Sequence, residues 1–158
     1  MAVDMAHHVG LLPVAFIRRM TMTEDYSLEA EIPDIADYCR LREQAGLSGK
    51  STEAAARGLP NTIHAAVVRC HGEVVGMGRV IGDGGLFYQI TDMAVAPAHQ
   101  GAGLGKAIMA SLVGQLRASA LPGAYVSLIA DGEAHKLYSQ FGFRPTMPKS
   151  IGMAQVLR

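Results

Sequence analysis

A glycine-rich segment in the second half of the chain joins a predicted strand to a predicted helix. It reads Gln100-Gly101-Ala102-Gly103-Leu104-Gly105-Lys106. The first turn of a helix has amide groups without intrahelical partners and the positive end of the helix dipole, so it attracts phosphate. Glycine lets the backbone approach an anion because no Cβ stands in the way. The segment therefore predicts a phosphate-binding loop, to which Lys106 adds a positive charge.

Three phosphate-binding patterns compete for this segment. A P-loop needs glycine at position 100 and Ser or Thr at 107, but Gln100 and Ala107 stand there. The GxGxxG dinucleotide fingerprint needs glycine where Lys106 stands, and it also needs a parallel start to the sheet. The third pattern, (Gln/Arg)-x-x-Gly-x-(Gly/Ala), is that of the acyl-CoA pyrophosphate loop, and residues 100–105 match it fully.

Two flanking stretches extend this match. Asp92-Met93-Ala94-Val95-Ala96-Pro97 resembles the strand that precedes the loop in GCN5-related N-acetyltransferases (GNAT). Residues 131–143, DGEAHKLYSQFGF, resemble the second signature of that family, Asn-x-x-Ala-x-x-Leu-Tyr-x-x-x-Gly-Phe. Both signatures stand in the family's order and at its usual separation, and the resemblance covers roughly residues 12–158.

Hydrophobic periodicity predicts the elements that must position these motifs. Strands are expected over Leu12–Met20, Ile63–Cys70, Val74–Ile81, Leu86–Val95 and Tyr125–Ala130, with one or two more after Phe143. Helices are expected over Ile32–Ala45, from Ser51, over Gly103–Ser119 and over Glu133–Phe141. In the first helix, the pattern places Arg42 with the outward-facing residues. Short turns between the middle strands favour an antiparallel meander.

The resemblance implies a GNAT fold of the α/β (α+β) class. Its mixed central sheet would have about six to seven strands, a meander followed by a splayed parallel pair, and about four flanking helices. The splayed pair would be Leu86–Val95 and Tyr125–Ala130. We expect a loose N-terminal tail over residues 1–10 and a single N-acetyltransferase domain over 11–158, since the length suits one domain.

The same resemblance implies the cofactor site. The pantetheine arm of acetyl-CoA would pair with the backbone of Met93, Ala94 and Val95. Its pyrophosphate would lie on the amides of the loop. The implied contact residues of the loop are Gln100, Gly101, Ala102, Gly103, Leu104, Gly105 and Lys106. Asp131 replaces the family's usual Asn, and its carboxylate could accept a hydrogen bond from a pantetheine amide or cap the following helix.

In the family, the amine attacks the thioester directly and a nearby residue protonates the departing thiolate. Tyr138 matches the position of that acid, although it also belongs to the apolar stripe of its helix. The general base remains open between Asp92, His64 and a water oriented by Gln89 and Thr91. By strand alternation, Gln89, Thr91, Met93 and Val95 share one face, and Tyr88, Ile90, Asp92 and Ala94 share the other.

Composition excludes several other classes of function. Acidic and basic residues balance at 14 each, which does not favour a nucleic-acid or membrane partner. Cys39 and Cys70 are too few and too far apart for a zinc site or a disulfide framework, and free thiols fit a cytoplasmic protein. No metal is expected, and no apolar run is long enough to span a membrane.

The predicted activity is transfer of an acetyl group from acetyl-CoA to a primary amine, most simply of a small molecule. Candidates for the acceptor pocket are Tyr26, Tyr38 and residues 46–50. A non-catalytic acyl-CoA-binding sensor or interaction module of the same fold is the alternative, because no base is evident. A homodimer formed through the C-terminal strands is a further hypothesis, and the acyl chain length stays open.

Overall fold

The computed structural model describes residues 19–23 and 25–157. The predicted tail over residues 1–10 and most of the predicted strand over Leu12–Met20 lie outside this part of the chain. The strands are β1 (Arg19–Thr23), β2 (Tyr26–Glu29), β3 (His64–Cys70), β4 (Glu73–Gly82), β5 (Phe87–Val95) and β6 (Tyr125–Leu128). The helices are α1 (Ile35–Gln44), α2 (Thr52–Gly58), α3 (Leu104–Ser119) and α4 (Ala134–Ser139). No described helix is long and apolar enough to cross a membrane.

The six strands form one mixed sheet in the order of the chain. Strands β1 to β5 are antiparallel neighbours, and β6 runs parallel to β5. The predicted meander followed by a parallel pair is therefore confirmed. The further strands predicted after Phe143 are wrong, because residues 143–157 form neither strand nor helix. Pro145 and Pro148 interrupt this stretch, and proline has no N–H for a ladder.

Helices cover both faces of the sheet. On one face α3 packs against β3, β4 and β5, with Ile108 and Leu112 fully buried. On the other face α1 and α2 bury Tyr38, Leu41 and Ala55 against the sheet. Burial of these apolar side chains on both sides is the main stabilising contribution to the fold.

Side-chain caps fix where the two N-terminal helices begin. The side chain of Asp34 accepts a hydrogen bond from the amide of Asp37, so α1 starts after Asp34 rather than at the predicted Ile32. The side chain of Ser51 accepts one from the amide of Ala54, which confirms the predicted cap of α2. Residues 45–50 form the loop that joins the end of α1 to the cap of α2, and this loop reaches the candidate active site.

Candidate active site

A cleft opens where β5 and β6 separate. The two strands pair from Phe87 with Tyr125 as far as Ile90 with Leu128, and β5 then continues to Val95 without β6 beside it. The cleft has a volume of about 440 Å³. Its lining comes from β5, from the segment joining β6 to α4, from α4 itself, and from the end of α1 and the loop after it. The lining residues are Arg42, Gly46, Leu47, Ser48, Gln89, Ile90, Thr91, Asp92, Met93, Ile129, Asp131, Ala134 and Tyr138.

A β-bulge in β5 shapes the floor of this cleft. Met77 pairs with Ala94 and Arg79 with Thr91, so β5 has one residue more than β4 between these pairs. Asp92 lies in the bulge and adopts the left-handed region with φ of 56°. Such a backbone conformation is uncommon for a residue other than glycine, and it persists only where the surrounding contacts hold the residue in place.

The bulge changes which side chains share a face, so the predicted alternation along β5 is wrong beyond Thr91. Thr91 lies opposite Arg79 and Asp92 contacts α1, so both point to the side of the sheet that α1 covers. Met93 packs with the core beneath α3, on the opposite side. Because the bulge adds one residue, Thr91 and Asp92 come to the same face although they are adjacent in sequence.

Asp92 is held by two arginines. Arg42 Nη1 donates to Asp92 Oδ1, and Arg79 Nε donates to Asp92 Oδ2 at 2.7 Å. The side chains of Arg42, Arg79 and Asp92 are only 8%, 9% and 5% exposed. The ring of Tyr38 lies under both guanidinium groups, at 5.7 and 5.3 Å from their central carbons. Both carboxylate oxygens are therefore engaged, which favours the structural role of Asp92 over the role of a base.

The predicted outward position of Arg42 is wrong. Arg42 follows Tyr38 by one helical turn, so it lies on the buried side of α1, where the carboxylate of Asp92 compensates its charge. Arg79 was not identified from the sequence at all. The signal available was a charged residue inside the apolar run of β4, because such a residue is rarely buried unless it is paired.

Tyr138 lies in the cleft wall and is buried. Burial, and then the Asp131 carboxylate, raise the pKa of the Tyr138 phenol above its usual value. The phenol therefore keeps its proton at neutral pH and can act as a donor. Asp131 lines the same cleft, but it does not cap α4, whose first turn has no side-chain cap.

The glycine loop has the geometry of an anion-binding turn. Gly101 and Gly103 have φ of 82° and 78°, and Gly103 is the residue from which α3 starts. No atom lies within 4 Å of where a Cβ would stand on either glycine, so the space beside the backbone is open at both positions. Gln100 Nε2 donates to the carbonyl of Val95 at 3.0 Å and fastens the loop to the end of β5. Gly105 lies beneath Leu137 of α4, the helix of Tyr138.

The remaining predicted residues divide between the cleft and other places. Gln89, Thr91 and residues 46–48 line the cleft. Ala94 is buried beneath α1 and α2, and Val95 packs on the α3 side. His64 contacts Ser119 of α3 at 2.7 Å and does not line the cleft. The Tyr26 hydroxyl is hydrogen-bonded to His99 Nδ1 at 2.9 Å, and Tyr26 does not line the cleft.

The chain is similar to known proteins in both sequence and fold. Residues 61–145 match the model of a family described as an acetyltransferase (GNAT) domain. An uncharacterized N-acetyltransferase of Porphyra purpurea is 34% identical over 70 residues, which are 44% of this chain and 39% of that protein. The match therefore spans about two fifths of the length of that curated relative.

Solved structures match over most of the chain. A protein of unknown function from meticillin-resistant Staphylococcus aureus, described as a "Probable Acetyltransferase", is 44% identical with a TM-score of 0.80, covering 84% of this chain and 99% of that one. A GNAT family acetyltransferase from Streptococcus pneumoniae is 22% identical with a TM-score of 0.69, covering 84% and 98%. Glucosamine-6-phosphate N-acetyltransferase from Arabidopsis thaliana is 20% identical with a TM-score of 0.60, covering 83% and 99%. The last two likenesses concern the fold alone.

Proposed function

Because this chain belongs to the GNAT family of acetyltransferases, we propose that it transfers the acetyl group of acetyl-CoA to a primary amine of a small molecule. The observation that carries the proposal is the cleft between β5 and β6, which has a buried phenol in its wall and an anion-binding turn beyond the end of β5. Donor and acceptor would meet in this cleft in a ternary complex.

The donor side of the cleft fits acetyl-CoA. The amides of the first turn of α3 have no intrahelical acceptors, and the open space around Gly101 and Gly103 lets a pyrophosphate approach them. The edge of β5 from Thr91 to Val95 has no strand beside it on the β6 side, so its backbone groups are available to a pantetheine arm. When bound, acetyl-CoA supplies the thioester that reacts.

The reaction needs one proton to be removed and one to be delivered. The amine nitrogen bonds to the acyl carbon, the carbon–sulfur bond breaks, and the leaving sulfur takes the electron pair. Tyr138 would deliver a proton to that sulfur, because its raised pKa keeps the phenol protonated until the thiolate forms. The proton of the attacking ammonium leaves by a separate route.

For that route, the contacts favour a water held by Gln89 and Thr91. Both side chains line the cleft on the α1 side. The Asp92 carboxylate is bonded to two guanidinium groups, so a proton there would break both ion pairs. His64 contacts Ser119 and does not line the cleft, so it is a poor candidate for the base.

The test is a free-thiol release assay with acetyl-CoA and a panel of amines that includes arylalkylamines, polyamines, amino acids, aminoglycosides and peptides. We expect thiol release that depends on the amine, and calorimetry on the same protein measures acetyl-CoA binding. Binding without release by any amine would favour the sensor alternative. Failure to bind acetyl-CoA at all would refute the donor assignment.

The role of Tyr138 is tested by Tyr138→Phe. We expect turnover to fall about 10²-fold, as for loss of a general acid, while acetyl-CoA affinity changes little. Tyr125→Phe is the matched control, since Tyr125 is on the exposed surface of β6 beside Phe87 and does not line the cleft. Equal turnover of the two variants would remove Tyr138 from the mechanism.

A further inference from the structure

The loop after α1 lines the cleft together with Tyr138, and its part beyond Leu47 is held by the side chain of Arg42. Gly46 and Leu47 are held separately, because their amides donate to the carbonyls of Glu43 and Arg42 at the end of α1. Ser48, Gly49 and Lys50 in this loop are exposed and have no regular secondary structure. Arg42 Nε and Nη2 both donate to the carbonyl of Ser48, at 2.9 and 2.7 Å, and Nη2 also contacts Ser48 Oγ at 3.1 Å. The other hydrogen bond to the Ser48–Lys50 stretch is a long one, from Cys39 Sγ to the carbonyl of Lys50 at 3.7 Å.

The same guanidinium reaches the β5 bulge. Its Nη1 donates to Asp92, so Arg42 joins the loop on one side of the cleft to the bulged strand on the other. A guanidinium can do this because its donors are spread over a rigid, planar fork and point in different directions. Lysine has one ammonium group on a flexible stem and cannot hold both partners in the same geometry.

We propose that Arg42 is the positioning residue of the acceptor pocket, setting the distance between the loop at residues 46–48 and the β5 bulge and thereby the affinity for the amine. This inference rests on the function proposed above. The donor side depends less on Arg42, because the glycine loop is fastened through Gln100 to the carbonyl of Val95 and Arg79 also holds Asp92 in the bulge.

The charges around Asp92 allow the effect of Arg42 on the loop to be measured in a variant that still folds. Two guanidinium groups share one carboxylate, and Arg79 contacts Asp92 through both Nε and Nη2. When Arg42 is replaced, Asp92 keeps Arg79 as its partner, so no carboxylate is left buried and unpaired. The loop, in contrast, loses three of its contacts at once.

The decisive variant is Arg42→Lys, which keeps a positive charge near Asp92 but loses the fork to Ser48. We expect KM for the amine to rise about tenfold, because the loop that lines the acceptor side is no longer held at a fixed distance from the bulge. Acetyl-CoA affinity, measured by calorimetry, should stay within about twofold of the parent. Arg57→Lys is the matched control, since Arg57 pairs with Glu53 on the exposed surface of α2 and should change neither quantity.

A second readout does not depend on activity. Hydrogen–deuterium exchange of the hydrogen-bonded amides of Gly46 and Leu47 should be faster in Arg42→Lys, by about tenfold, while exchange in α3 should be unchanged. If the wild-type protein transfers no acetyl group, the proposed function fails and this exchange experiment still decides the role of Arg42. The proposal is overturned if exchange in the loop is unchanged, or if the amine KM and the acetyl-CoA affinity worsen together.

Discussion

Gly78 of β4 lies opposite the bulge and is the position where a single methyl group should disturb both stability and the cleft. A Cβ at Gly78 would stand 2.6 Å from Met93 Sδ, 2.7 Å from Ile108 Cγ2 and 3.0 Å from Leu112 Cδ1. Optimal separations between such atoms are about 3.5 to 4.0 Å. Ile108 and Leu112 are fully buried in the core, where side chains are closely packed.

The magnitude follows from two opposing terms. Overpacking a dense core costs about 1 to 3 kcal/mol. Replacing glycine by alanine reduces the conformational entropy of the unfolded chain, which returns about 0.4 to 1 kcal/mol. The two ranges together leave a net cost of about 0 to 2.6 kcal/mol, and we expect Gly78→Ala to lower the free energy of unfolding by an amount near the middle of this range.

The assay is urea denaturation of Gly78→Ala beside Gly114→Ala. Gly114 lies inside α3, and no atom stands within 4 Å of the position of its Cβ. Gly114→Ala should therefore have the opposite sign and stabilise the protein by up to about 1 kcal/mol. A stabilising effect of Gly78→Ala would refute the packing argument.

A double-mutant cycle identifies the atom responsible. Met93 is the flexible member of the three contacts, so Met93→Ala should cost less in the Gly78→Ala background than in the parent. Independent, additive effects would show that the added methyl does not press on Met93. Since Met93 lines the cleft, Gly78→Ala should also weaken acetyl-CoA binding, measured by calorimetry.

Three further predictions concern charge, backbone and pH. Asp92→Asn should lower the free energy of unfolding by about 3 kcal/mol, because two buried guanidinium groups lose their carboxylate; lost turnover with unchanged stability would instead identify Asp92 as the base. Gly103→Ala and Gly84→Ala both place alanine at a φ near 80° and should destabilise alike in urea, but calorimetry should show weaker acetyl-CoA binding only for Gly103→Ala. Burial lowers the pKa of His64, so the unfolded state binds more protons as pH falls below about 6.5 and stability decreases there; His64→Gln should flatten this part of the stability–pH curve.

Much of the fold was predictable because its signals are local. The turns at His71-Gly72 and at residues 83–85 separate the strands of the meander, and the apolar stripe of α3 has helical spacing. The glycine loop was predictable for the same reason, since a strand, a turn and a helix follow one another within a few residues. These patterns need no information about distant parts of the chain.

The features that were not predicted all depend on distant contacts. The extra residue in β5 becomes visible only when β5 is paired with β4, so alternation along one strand placed Met93 on the wrong face. Arg42 was placed outward because a charge on a helix is usually solvated, and its partner Asp92 is 50 residues away. The strands expected after Phe143 did not form because a strand needs a neighbouring edge to pair with, and Pro145 and Pro148 lack the N–H groups that such pairing requires.

The bulge links the stability of the domain to the geometry of its cleft. One inserted residue brings the Asp92 carboxylate to the α1 side, where Arg42 and Arg79 hold it, and brings Met93 to the α3 side, opposite Gly78. Because Arg42 also holds Ser48, the position of the bulge determines where the loop after α1 lies. Substitutions at Gly78 and Arg42 should therefore be coupled in their effect on amine KM, although they lie on opposite faces of the sheet. Additive effects in that double-mutant cycle would show that the loop and the bulge move independently.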